Sequence, residues 1–170
     1  MLTKRGWIIL ANLVLVLALF NWSVVQKEEI LDEGQPVLLE LAPVDPRSLM
    51  QGDYMRLSYA ISRPEDGELL QKLPLKGYAV LKLNQDNVAE LVRFQEEESP
   101  LNPQEQLLKY SKGSWSINLG AESYFFEEGQ AKVFEQAKYG GLKVDEKGNS
   151  ILVGLYDERQ QLIKPKRIEE

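Results

Sequence analysis

An uninterrupted apolar run at residues 6–25, GWIILANLVLVLALFNWSVV, constrains this chain more than any other feature. About 20 residues without a charge, at 1.5 Å rise each, make a helix of about 30 Å, the thickness of a bilayer's hydrocarbon core. A core helix of a water-soluble domain rarely lacks charge over that length. A cleaved signal peptide has a shorter apolar region, about 7–15 residues, that ends in a small-x-small site. Here the run closes on Leu19-Phe20-Asn21-Trp22-Ser23-Val24-Val25, whose bulk argues for an uncleaved anchor in the lipid bilayer. Trp7 and Trp22 sit near its two ends, where indole rings favour the membrane interface.

The flanks set an expected orientation. Lys4 and Arg5 precede the run, whereas Lys27 is followed by Glu28, Glu29, Asp32 and Glu33. Excess basic residues stay cytoplasmic, so the N-terminus is expected inside and the rest of the chain outside. Asn12 and Asn21 are the amides of the run, and Asn12 lies deep enough that either a partner helix satisfies it or it is simply tolerated near the inner leaflet.

The chain beyond the span is long enough for one domain with its own core. The chain has 20 Lys and Arg against 26 Asp and Glu, and with Lys4 and Arg5 set aside the outer part carries a net charge of −8. Such a domain repels phosphate backbones, so no nucleic-acid partner is expected. There is no Cys and no His. That removes thiol nucleophiles, Ser-His-Asp triads, an imidazole base near neutral pH and the common zinc sites. Carboxylate chemistry, a Ser-Lys pair or an oxygen-ligated cation would remain possible, but the residues form no recognisable catalytic set, and no cofactor or metal site is assigned.

Periodicity in the outer part reads mostly as strands. Val37, Leu39 and Leu41 share one face of a short strand. Residues 54–61 alternate, with Met55, Leu57, Tyr59 and Ile61 on one side and Tyr54 on the other. Residues 77–83 and 88–94 flank Asn84-Gln85-Asp86-Asn87, a hairpin signal. The acidic run Glu96-Glu97-Glu98 with Pro100 and Pro103 marks a surface loop, and strands are expected at 109–110 and 115–119. Residues 127–138 are expected to form a short amphipathic helix with Gln130, Val133, Phe134 and Ala137 on one face, stopped by Gly140-Gly141. Glu127 and Glu128 suit the positive end of that helix. Residues 142–145 then pair with 151–156 across Glu146-Lys147-Gly148-Asn149, and a polar tail frays from Asp157.

Gly52-Asp53-Tyr54-Met55-Arg56-Leu57-Ser58-Tyr59 fits the pattern G-D-Y-x-x-L-x-Y, with Asp45-Pro46-Arg47 shortly before it and Tyr124-Phe125-Phe126-Glu127-Glu128-Gly129 after it. In these elements the chain resembles the GDYXXLXY family of bacterial membrane-anchored proteins. The resemblance covers most of the chain and implies a companion of, or a fusion to, multi-spanning membrane proteins. It also directs attention to Asp45, Arg47, Gly52, Asp53, Tyr54, Leu57 and Tyr59 without naming a role for any of them. Asp45, Arg47 and Asp53 could bind an anion, a cation or a sugar. They better suit a turn in which Asp side chains cap backbone N–H groups and pair with Arg47. An anchor followed by a β domain with a Gly-Asp also resembles type I signal peptidases in outline. Their Ser-Met-x-Pro element lies well before the Gly-Asp, however, whereas Ser48-Leu49-Met50-Gln51-Gly52-Asp53 is compressed. Lys132, the base such an enzyme would need, lies on the expected helix.

The expected fold is therefore mainly β (α+β): a cytoplasmic start at residues 1–5, a transmembrane helix over 6–25 and a linker over 26–35. One antiparallel β-rich extracytoplasmic domain comes next over 36–157 with a short amphipathic helix, and a polar tail over 158–170. The expected location is the bacterial inner membrane, single pass. The expected role is a binding or accessory subunit of a polytopic membrane protein, with an outer-face hydrolase or an envelope-ligand domain as alternatives. A reporter fused after Glu170 should register as extracytoplasmic, and moving Lys4 and Arg5 to the far flank should weaken or invert that signal.

Overall fold

The structure is a computed structural model that describes residues 3–42, 54–63 and 67–165. Helix α1 runs over Lys4–Glu33, capped by the Thr3 hydroxyl, which accepts from the Gly6 N–H at 3.3 Å. Asn21 satisfies its own amide by donating to the Leu17 carbonyl at 2.8 Å. None of the most apolar stretch of α1 is covered by the rest of the chain. The residues expected as a linker are instead helical as far as Glu33. Residues 26–33 contain no Gly or Pro, and Ile30 is buried against the domain, so the helix continues until Gly34 and Pro36 end it.

Strand β1 (Gln35–Glu40) comes directly after α1. Strand β2 spans Tyr54–Arg56, β3 Lys76–Leu83, β4 Ala89–Gln95, β5 Glu105–Lys112, β6 Ile117–Asn118, β7 Ser123–Phe125, β8 Tyr139–Val144 and β9 Ser150–Tyr156. They form a three-stranded sheet in the order β1-β8-β9, a four-stranded sheet β4-β3-β5-β6 and a two-stranded ribbon β2-β7, with every strand pair antiparallel. A parallel bridge between Leu38 and Val88 joins β1 to the tip of the β3–β4 hairpin, where the Leu38 N–H donates to the Asn87 carbonyl at 2.8 Å. One core takes side chains from all three sheets, including Val37 and Leu39, Met55, Ala79 and Leu81, Leu108, Leu142 and Leu155.

Both expected hairpin turns are present and their side chains account for them. The Asn84 Oδ1 accepts from the Asp86 and Val88 N–H groups at 2.9 Å each, and Asn87 adopts φ 60°. The Asp145 Oδ1 accepts from Lys147 N–H at 2.9 Å and Asn149 N–H at 2.7 Å, while Gly148 takes φ 79°, which favours glycine.

Elsewhere the structure departs from the periodicity. The strand expected over 54–61 ends at Arg56 and turns into a 3-10 turn over Ala60–Ser62, although Met55, Leu57 and Tyr59 are buried together as the alternation requires. A short helix α2 over Gly67–Lys72 was not evident from the sequence. The expected helix over 127–138 is a single turn, α3 (Ala131–Phe134), so Glu127 and Glu128 precede it. Gly129 at φ 81° delays its start, and the Lys138 N–H is taken by the Tyr156 carbonyl at 2.8 Å, which draws the chain into β8. Its inward face is the expected one: Gln130 and Phe134 are buried, with Phe134 between the rings of Tyr124 and Phe126 at 5.1 and 5.5 Å. Gly140 and Gly141 do not stop a helix; they lie inside β8. The tail does not fray at Asp157 either, because its carboxylate caps Arg159 and Gln161 and the chain folds back to bury Ile163.

Leu57→Ala should lower the unfolding free energy of the detergent-solubilised chain by roughly 2–5 kcal/mol through the cavity it leaves. Leu162→Ala, at a half-exposed site, should change it little. Chemical denaturation of the two variants compares them.

Candidate functional site

Of the motif residues, Asp45, Arg47, Gly52 and Asp53 lie outside the described residues. The others divide between surface and core. Tyr54 is half-buried and packs on Phe125, its cross-strand partner, with ring centroids 5.7 Å apart. Leu57 is buried and its N–H donates to the Glu122 carbonyl at 2.8 Å. Tyr59 is fully buried, and its hydroxyl donates to the Ala121 carbonyl at 2.6 Å. Burial, with the Glu122 charge as a lesser cause, pushes the Tyr59 phenol far up, so it is a permanent donor. Its ring lies over Gly140, where a Cβ would come within 2.8 Å of a ring carbon. The Glu122 carboxylate in turn accepts from the Leu119 N–H and, at 3.2 Å, from the Gly120 N–H. Leu57 and Tyr59 thus hold the motif to residues 119–122 and to β8.

Several polar side chains away from the motif are engaged structurally. The Arg93 guanidinium grips Glu105 with two bonds of 2.8 and 2.9 Å and also donates to the Pro100 carbonyl at 2.9 Å. Asn102 donates to the same carboxylate from its backbone at 3.0 Å and from its side chain at 2.9 Å. Arg93 first, and Asn102 after it, hold the Glu105 carboxyl down from its ordinary 4.5 to about 2. Within the acidic run, Glu98 accepts from the Tyr78 hydroxyl at 3.0 Å. Lys132 is exposed on α3.

A concavity lies where α1 meets the sheet. It is a groove of about 830 Å³ between the last turns of α1 and the β8–β9 turn. Gly34 builds the joint: its N–H donates to the Ile30 carbonyl at 3.0 Å and its carbonyl accepts from the Lys143 ammonium at 2.9 Å. A Cβ at Gly34 would sit 2.3 Å from the Ile30 carbonyl oxygen and 3.1 Å from the Val144 nitrogen, so no side chain fits without moving the helix. Reading residues 26–35 as a linker passes over this site; the available signal is a lone glycine between good helix formers and a proline.

A model of the GDYXXLXY protein family matches residues 16–155, from the second half of the apolar run to the end of β9. The chain belongs to the GDYXXLXY family. No curated protein and no solved structure matches it. The family model takes in the C-terminal part of α1 together with the β domain.

Glu105 generates a pH prediction. Its folded pKa is depressed, so its contribution to stability is full above 4.5 and is lost as pH falls towards about 2. The difference in melting temperature between the native chain and Glu105→Gln should therefore shrink over that window. A constant difference from neutral pH down to 2 would mean that the carboxylate's charge is not what holds this loop.

Proposed function

We propose that this chain is a membrane-anchored extracytoplasmic binding subunit whose partner is a polytopic protein of the bacterial inner membrane, with the N-terminus in the cytoplasm. The observation that carries the reading is the direct join of α1 to β1. Residues 26–33 continue the helix beyond the apolar run by about 12 Å at 1.5 Å per residue. Flexible tethers let a domain search a wide volume, whereas a short helical stalk keeps it close above the bilayer. That suits a neighbour embedded in the same membrane. The uncovered apolar surface of α1 and the net negative outer domain agree with it, as does a motif whose described Leu57 and Tyr59 serve the core rather than a reacting centre.

Gentle-detergent purification of the full chain should bring down a polytopic membrane protein, and a tag on that protein should recover this chain. Inserting a flexible Gly-Ser segment of about ten residues between Glu33 and Gly34 should lower the domain's melting only by what the Ile30 contact and the Gly34–Ile30 bond contribute, while weakening the complex far more. A complex that survives the insertion intact would remove the stalk from the explanation. Asp53→Asn, which keeps shape and removes charge, should lower the melting temperature and affect partner capture only in proportion. Unchanged melting with lost capture would make the motif a contact surface instead.

A further inference from the structure

The groove at the α1 joint has a charge pattern that its own fold does not use. Asp145, on its lining, is engaged by Lys147 N–H, Asn149 N–H and the Asn149 amide. Five other charged residues of the lining, Lys27, Glu29 and Glu33 on α1 and Glu146 and Lys147 on the turn, are exposed and form no ion pair among the described residues. Two cations and three carboxylates therefore border one polar cleft without neutralising one another.

Its depth relative to the bilayer is set by the helix. A bilayer's polar layer adds about 5–7 Å to each side of the hydrocarbon core. Lys27 and Glu29 come within the first turn after the apolar run, about 6 Å along the axis. The lower end of the groove is therefore at headgroup level if α1 spans the membrane, and Glu146 and Lys147 overhang it from the domain.

We propose that this groove seats the headgroup of a membrane phospholipid carrying both a phosphate and a primary ammonium, of the phosphoethanolamine type. Lys27 and Lys147 are compact point charges suited to the phosphate, and Glu29, Glu33 and Glu146 accept the ammonium N–H groups. Carboxylates outnumber cations, so a purely anionic headgroup meets net repulsion. No aromatic residue lines the groove, so a quaternary choline, which favours aromatic faces and donates no N–H bond, has little to hold it. The volume of about 830 Å³ is far more than the roughly 30 Å³ of one water, so a headgroup and bridging waters fit together. The proposal rests on α1 spanning the bilayer but not on the identity of any protein partner.

The full-length chain is reconstituted into nanodiscs of phosphatidylethanolamine with phosphatidylglycerol, or of phosphatidylcholine with the same share of phosphatidylglycerol. Lipid retained after transfer to mild detergent is read by native mass spectrometry. Phosphatidylethanolamine should be retained over phosphatidylcholine, and Lys27→Gln combined with Lys147→Gln should abolish the preference. Both positions are exposed, and matching circular-dichroism melts would show that the variant is folded. Displacement by millimolar soluble phosphoethanolamine would place recognition in the headgroup alone; retention against it would show that the acyl chains are needed too. Equal retention of the two lipids, or a preference that survives in the double variant, would overturn the proposal. So would a groove that shows no lipid preference but crosslinks to a partner protein's loop. Alkaline carbonate extraction separates the two readings: a chain stripped from membranes removes the anchor itself, whereas an integral chain without headgroup preference removes only this site.

Discussion

The β domain depends on where Tyr59 is held. Its backbone bridges Leu41 just past β1, its hydroxyl reaches the Ala121 carbonyl across 62 positions of sequence, and its ring occupies the space that Gly140 leaves in β8. A buried phenol without a partner costs about 1–3 kcal/mol, so the bond to Ala121 is as necessary as the burial itself. These contacts draw together the segment after β2, residues 119–122 and the β1-β8-β9 sheet. Leu57, two residues earlier, supports them through its bond to the Glu122 carbonyl. The last two fixed letters of the family motif therefore describe a packing solution.

The second constraint is at the other end of β1. Gly34 ends α1 by close backbone approach, and the Lys143 ammonium on β8 closes over its carbonyl, so the anchor is a continuation of the sheet's first strand. Because Ile30 is buried at this joint, any tilt of the helix against the sheet would expose apolar surface. The domain's placement against α1, the groove beside the helix and the absence of a flexible tether at this point all derive from that one turn. A membrane-level binding role and a headgroup seat draw on the same geometry but fail independently, since one concerns reach and the other the chemistry of five side chains.

Much of this was legible in the chain itself because the determinants are local. The anchor is a matter of length and apolarity over residues 6–25. The two hairpin turns are written in Asn84 and Asp145, each capping backbone groups within four residues, and the alternation of Met55, Leu57 and Tyr59 correctly predicted their shared burial. The motif and its companions were enough to place the chain in its family. What tertiary structure decided was every case in which a distant group competed for the backbone. The helix expected over 127–138 shrank to Ala131–Phe134 because Tyr156 claims the Lys138 N–H, and Gly140 and Gly141, which read locally as a helix stop, are strand residues shaped to receive the rings of Tyr59 and Tyr156. The supposed linker became helix because β8 and β9 provide a surface for Ile30. Local hydrogen bonds and side-chain periodicity are properties of neighbouring residues and can be read in order along the chain. A ring's need for a glycine some 80 residues away, or a helix's need for a wall built by the last two strands, exists only once the sheets have closed.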